Sequence, residues 1–153
     1  MAAQKVLDAL HQSGIQYSIL LHADYGEIRS PQDFAQLSNT PIEKVAKSLL
    51  LKGDDGYVIA VLPVTDKADM KAIGVFCGVS HLQVAPLEEL PQITGFERFA
   101  TTAIGLDMPV VIHESLVNLD RVYVATGEMG EELEIAPGDL IAITHAVVGN
   151  IAR

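Results

Sequence analysis

Lys44-Val45-Ala46-Lys47-Ser48-Leu49-Leu50-Leu51 is followed, after Lys52, by Gly53-Asp54-Asp55-Gly56 and then by Tyr57-Val58-Ile59-Ala60-Val61-Leu62-Pro63-Val64. Both apolar runs have strand length, and the Gly-Asp-Asp-Gly segment supplies the residues that a chain reversal favours. Val45–Leu51 and Tyr57–Val64 therefore read as a β-hairpin. The second strand is apolar on both faces, so helices should cover one side of its sheet. Within the first strand, a period of two puts Val45, Lys47, Leu49 and Leu51 on one face. A lysine among aliphatics is costly to bury unless it is paired or hydrated. It is either an inward-pointing charge that guards a strand edge against aggregation, or a cation at the mouth of a pocket, ready for an anionic group.

Helix signals flank the hairpin. Val6, Leu7 and Leu10 give Ala2–Ser13 a helical apolar face, with Gly14 as its stop. Ser30-Pro31-Gln32-Asp33 sets a cap, a first-position proline and an acid in order, and Thr40-Pro41-Ile42-Glu43 repeats that grammar as a capping box. Asp66-Lys67-Ala68-Asp69 opens a further helix that should run to Phe76. Strands are expected at Gln16–Leu21, Pro109–Ile112, Arg121–Ala125 and Glu132–Ile135, with Gly127-Glu128-Met129-Gly130 as the turn between the last two. Helices and strands do not alternate strictly. The expected class is α+β, with a mixed, strongly curved sheet and flanking helices, rather than a doubly wound parallel sheet.

The 153 residues suit one domain spanning 1–153, and with 49% of them hydrophobic the chain can fill a core without a cofactor. No apolar stretch is long enough to span a bilayer, and the N-terminal helix carries Asp8 and His11 where a signal peptide would be apolar, so no membrane partner is expected. The single cysteine, Cys77, excludes an internal disulfide and clustered zinc ligands, and fits a reducing cytoplasm. Between Phe76 and Gly78 it reads as packing, not as a nucleophile. There is no G-x-S-x-G elbow and no zinc-binding His-Glu motif. His11, His22, His81 and His145 are scattered without ligand spacing and receive no role. The formal net charge of −10 argues against a broad nucleic-acid footprint. The charge is uneven, however: Lys44, Lys47, Lys52, Lys67 and Lys71 fall in one central stretch, whereas after Pro86 the basic residues are Arg98, Arg121 and Arg153. Any such contact should be small and local. Composition by itself fits an ordinary acidic, soluble protein.

The lysine strand resembles the signature strand of the YbaK-like, prolyl-tRNA synthetase-associated family of trans-editing aminoacyl-tRNA deacylases. That family carries a single lysine at the position of Lys47, then a small hydroxyl residue and aliphatics. Val61-Leu62-Pro63-Val64 with Asp69-Met70-Lys71 is similar to its next strand and helix, and Thr94-Gly95-Phe96 to the opening of its substrate loop. Val122-Tyr123-Val124-Ala125-Thr126-Gly127 and Glu134-Ile135-Ala136-Pro137-Gly138-Asp139-Leu140 resemble its last strands and helix. The similarity runs from Ser30 to the end of the chain, and its specificity lies in the order and spacing of these motifs.

The resemblance implies a mixed, β-barrel-like sheet with flanking helices. It also implies hydrolysis of the ester between a wrong, small amino acid and tRNA-Pro or a similar tRNA. Lys47 would hold the terminal-adenosine end. Gly95, Thr101, Thr102, Gly105, His113, Gly127 and Gly130 would line the substrate site. The partner would be the 3′ end of aminoacyl-tRNA, delivered with help from a synthetase or an elongation factor. No metal and no cofactor are implied, and the oligomeric state is left open. An ester is already activated, so a positioned water and a stabilised oxyanion can suffice. Two departures stand out. Phe99-Ala100 occupies the place of the family's glycine pair and Ala103 that of its proline, which reads as a remodelled pocket with a changed amino-acid preference. His113 stands where the family usually has aspartate, and can serve as donor, acceptor or base; by itself it also fits a strand-end residue. The turn with Glu128, Glu131 and Glu132 is acidic where free-standing members often carry basic residues. The alternative is a catalytically inactive paralogue that uses the cleft for a small ligand or a protein partner.

Overall fold

The structure, a computed structural model, describes residues 2–153. In chain order the elements are α1 (Gln4–Gln12), β1 (Tyr17–Leu21), α2 (Pro31–Leu37), β2 (Ala46–Gly53), β3 (Gly56–Pro63), α3 (Met70–Cys77), β4 (Gln83–Val84), α4 (Glu89–Thr94), β5 (Val110–His113), β6 (Val122–Val124), β7 (Glu131–Ile135), α5 (Pro137–Thr144) and β8 (Val147–Gly149). The hairpin forms as expected, in register from Ala46 opposite Pro63 to Gly53 opposite Gly56. β5 runs parallel to β3 and β8 parallel to β5, giving a five-stranded mixed sheet in the order β4-β2-β3-β5-β8. The class is α+β.

The sheet is divided where one curved sheet was expected. β1, β7 and β6 form a separate antiparallel sheet, joined to the larger one at the bridge between Val45 and Tyr123. The cause lies at Val45, which leaves the 3-10 turn Ile42–Lys44. Its N–H bonds back to the Ile42 carbonyl and its C=O accepts from Val64, so β6 meets β2 at its first turn of chain and then diverges.

β3 serves two cores, as its two apolar faces require. Ile59 and Val61 join Val6 and Leu10 of α1 and Leu133 and Ile135 of β7. Val58, Ala60 and Leu62 face Ile73 of α3 and Ile151. Each valine, leucine or isoleucine side chain among them contributes about 1.5–3 kcal/mol when withdrawn from water, and all of these residues are essentially fully buried.

Local capping explains where sequence and structure agree and where they part. The Ser30 hydroxyl accepts the Asp33 N–H at 3.1 Å and starts α2 as expected. α3 starts later than expected because Asp69, not Asp66, is its cap, accepting the Ala72 N–H at 3.0 Å. Asp66 remains in the preceding turn. Thr40-Pro41-Ile42-Glu43 yields a single 3-10 turn, not a helix: the Thr40 hydroxyl lies 2.7 Å from that of Ser38, and the extended Val45 takes the chain into β2. The short β4, α4 and β8 were not expected from periodicity; elements this short show too few repeats to register.

Candidate functional site

The antiparallel ladder leaves part of β2 uncovered. β6 touches its outer edge at Val45 and β4 joins at Leu51 and Lys52. Between these points, among the described residues, no strand covers the edge. Main-chain groups alternate sides along such a strand. The Leu50 carbonyl accepts from Ala85 on the outer side and the Val45 carbonyl accepts from Val64 on the inner side. The N–H and C=O of Ser48 therefore turn outward, to the open edge. A cavity of about 1130 Å³ lies against it, walled by residues 45–50, the start of α2, the 98–101 loop and the β6–β7 turn.

Lys47 lines this cleft. Its ammonium donates to the Asp66 main-chain carbonyl at 2.6 Å. Burial pulls its pKa below the ordinary lysine value, and the nearby Asp66 charge offsets part of that shift. An ammonium has three donors, and one is held by Asp66. The face Lys47 shares with Leu49 and Leu51 packs on the α3 side, so the charge sits at the rim of an apolar cluster, at the mouth of a cavity.

On another wall stand His22, at the end of β1, and Glu132 of β7. The His22 Nε2 is 3.2 Å from a Glu132 carboxylate oxygen, and the imidazole lies against the Phe34 ring at 5.7 Å between centroids. Burial raises the Glu132 pKa, with His22 opposing the shift. Two arginines also line the cleft: Arg29, paired with Glu27 at 2.5 Å, and Arg98. The cleft is therefore bipolar, with cations on some walls and a largely desolvated carboxylate on another.

Of the residues expected in the site, Lys47, Thr101 and Gly130 line one cavity. The Thr101 hydroxyl donates to the Glu97 carbonyl at 3.1 Å, and the Gly130 carbonyl accepts from the His22 N–H at 2.9 Å. The other five are not brought to the cleft wall. Gly95 and Gly105 pack against Lys5, Gly127 packs against Phe96 and Ala3, and the buried Thr102 hydroxyl accepts from the Ile104 N–H at 3.4 Å. His113 is buried; its Nδ1 accepts the Ile151 N–H at 3.1 Å, and its Nε2 lies 4.0 Å from the Asp66 carboxylate. It stands behind Lys47, with Asp66 between them. His22, Arg29 and Glu132 also line the cleft and were not expected there. The pairing of β1 with β7, which sets Leu20 opposite Glu132, is what unites His22 and Glu132, and no spacing in the chain encodes it.

The model of the aminoacyl-tRNA editing domain family matches residues 26–143. The chain belongs to the aminoacyl-tRNA editing domain family. This editing domain is 25% identical over 111 residues to an Enterococcus faecalis protein provisionally named Cys-tRNA(Pro)/Cys-tRNA(Cys) deacylase EbsC, covering 71% of this chain and 68% of that one. It is 31% identical over 104 residues to a proline–tRNA ligase of Sulfurihydrogenibium, covering 67% of this chain. With the Thermosipho africanus proline–tRNA ligase the identity is 27% over 100 residues, 65% of this chain. The editing domain spans 18% of the length of either ligase. In three dimensions it superposes on a protein described as a candidate trans-editing enzyme for prolyl-tRNA synthetase with a TM-score of 0.83, at 23% identity, covering 98% of this chain and 96% of that one. That likeness establishes the fold.

Proposed function

We propose that the chain, as one editing unit over residues 1–153, hydrolyses in trans the ester that joins a wrong small amino acid to tRNA, with tRNA-Pro or a similar tRNA as substrate in the cytoplasm. The two sheets act as the walls of an incompletely closed barrel around the cleft. A proline pocket cannot strongly reject a smaller amino acid, because one methylene is worth about 1–3 kcal/mol, so a second site that removes the error answers a physical need.

The observation that carries this reading is the partly buried Lys47 ammonium at the uncovered edge of β2, facing a cleft that holds Glu132 elsewhere in its wall. An aminoacyl-adenosine terminus has matching poles: an anionic phosphate chain and a cationic α-amino group. Lys47 holds the nucleotide end, and Glu132, steadied by His22, receives the α-ammonium. The outward N–H of Ser48 is a fixed donor for the oxyanion that develops as water adds to the ester carbonyl. The bond to the ribose oxygen then breaks, that oxygen takes the proton released by the water, and the free amino acid and tRNA leave. Thr101 and Gly130 shape the wall, while Gly95, Thr102, Gly105, Gly127 and His113 support it from behind. With a net charge of −10, affinity rests on few cations, so a synthetase or an elongation factor delivers the substrate.

The test is deacylation of tRNAs charged with alanine, cysteine, serine, threonine and proline. Release of one amino acid, abolished by Lys47→Ala, supports the reading and names the substrate. A folded protein that releases none, beside an active control enzyme, overturns it in favour of a ligand-binding module.

A further inference from the structure

Phe99 adopts a left-handed backbone conformation, φ 70°. The other non-glycine residues described there are Asn39, His81 and His145, types that visit this region readily, whereas a bulky aromatic residue is an outlier. Glycine would occupy the position without strain. The strain is not offset by burial of the ring. Phe34 and Phe96 are fully buried and Phe76 packs against Gly149, but Phe99 is 64% exposed. Strain of this kind, held at the mouth of a cavity, points to a role in binding.

The surroundings specify what is bound. Phe99 lines the cleft that contains Lys47, and Val84, Leu87 and Met129 are exposed apolar residues of the same cleft. The Arg98 guanidinium lies 4.8 Å from the centre of the Phe99 ring, and among the described residues no carboxylate pairs with it. The backbone beneath is fixed: the Ala100 N–H donates to the Glu97 carbonyl at 3.0 Å, and the Ala100 carbonyl accepts from Gly127 at 2.9 Å. An exposed ring on a pinned backbone, beside a cation without a partner, is the combination that receives an unpaired nucleobase. The ring offers a π-face and the guanidinium a second planar surface near the phosphate.

We propose that Phe99, with Arg98 beside it, is the stacking platform for the terminal adenine of the tRNA acceptor end. The proposal rests on the editing reading for its ligand. Lys47 and the platform then grip the terminal nucleotide at two points, and the ester is set against the open edge of β2. Phe99 acts on affinity and positioning, not on the chemical step.

The test uses an uncharged RNA microhelix whose terminal adenine is replaced by 2-aminopurine, a base whose fluorescence falls when it stacks, titrated at low ionic strength. The wild-type protein should quench it. Phe99→Leu, which keeps apolar bulk and loses the π-face, should weaken binding roughly tenfold and remove the quenching; Phe99→Trp should retain both. Phe99→Gly should lose binding as Phe99→Leu does, yet melt at a higher temperature, because the strain is gone. With charged tRNA, the loss in Phe99→Leu should fall on KM. Quenching and affinity unchanged in Phe99→Leu, or no quenching by the wild type, overturns the platform even if deacylation is robust. Quenching that depends on Phe99, in a protein that releases no amino acid, supports the platform and overturns the hydrolytic reading alone.

Discussion

The Lys47 ammonium is held by the main-chain carbonyl of Asp66, at 2.6 Å, and not by a carboxylate. A carbonyl fixes the cation in position without neutralising it, so its charge stays available to an incoming anion. The Asp66 carboxylate turns instead toward His113, 4.0 Å from the Nε2. The start of α3 at Asp69 rather than Asp66 is what makes this possible, because a helix cap at Asp66 would spend its side chain on the backbone and carry its carbonyl into the helix.

Lys47→Met should lower deacylation roughly ten- to a hundredfold, the range for loss of one charge-assisted contact to the nucleotide end, while leaving the melting temperature unchanged or raised. Burial depresses the Lys47 pKa from its ordinary value of 10.5. Between the depressed value and 10.5 the unfolded chain binds the proton more tightly, so wild-type stability should rise with pH through that window. Below it the folded state carries the full cost of the desolvated charge. The variant removes that cost and should flatten the alkaline slope in thermal denaturation at several pH values. A variant that melts well below wild type would show that Lys47 is structural.

Glu132→Gln should stabilise the protein at neutral pH. Burial raises the Glu132 pKa above its ordinary value of 4.5, with His22 opposing. In the window above 4.5 and below the raised value the folded state binds more protons than the unfolded one, so this group makes wild-type stability fall as pH rises. Glutamine keeps an acceptor for His22 and carries no charge. Its advantage in melting temperature should shrink as pH is lowered through the window, and deacylation should fall at least about tenfold if the carboxylate receives the α-ammonium. Lower stability than wild type at pH 7 would contradict the assignment of Glu132 as a desolvated carboxylate.

His113→Ala should destabilise by about 1–3 kcal/mol, the cost of leaving the buried Ile151 N–H without its acceptor. Urea denaturation gives the magnitude. Deacylation well below the melting temperature should fall far less than in Lys47→Met. A loss as large would place the imidazole in contact with substrate.

The hairpin, the capped start of α2 and the cationic strand were legible because each is written within a few consecutive residues. Lys47 could be singled out for the same reason: a charge that breaks a period of two is a local signal. His22 and Glu132 could not, since they meet through β1–β7 pairing across most of the chain length. Nor could the division into two sheets, which depends on how the backbone of Val45 spends its hydrogen bonds. Thr101 and Thr102 illustrate the limit at one residue's resolution. Adjacent in sequence, alike in chemistry and both buried with their hydroxyls bonded within the loop, they part because Thr101 lines the cleft and Thr102 does not.

Gly127 and Gly130 offer the sharpest separation of packing from substrate contact, because they lie in one turn with nearly the same backbone, φ 88° and 84°. Either glycine replaced by alanine incurs the left-handed penalty of about 1–2 kcal/mol. At Gly130 nothing lies within 4 Å of the added Cβ, so the penalty should stand alone. At Gly127 the Cβ would fall 2.7 Å from Phe96 Cε1 and 2.8 Å from Ala3 Cβ, inside the core beneath α1. Overpacking there should add about 1–3 kcal/mol. Gly127→Ala should therefore unfold at clearly lower urea concentration than Gly130→Ala. Its loss of activity should follow the fraction unfolded, whereas Gly130→Ala, at the cleft wall beside His22, should lose activity while folded. Equal stabilities for the two variants would mean that α1 and Phe96 yield to the methyl group.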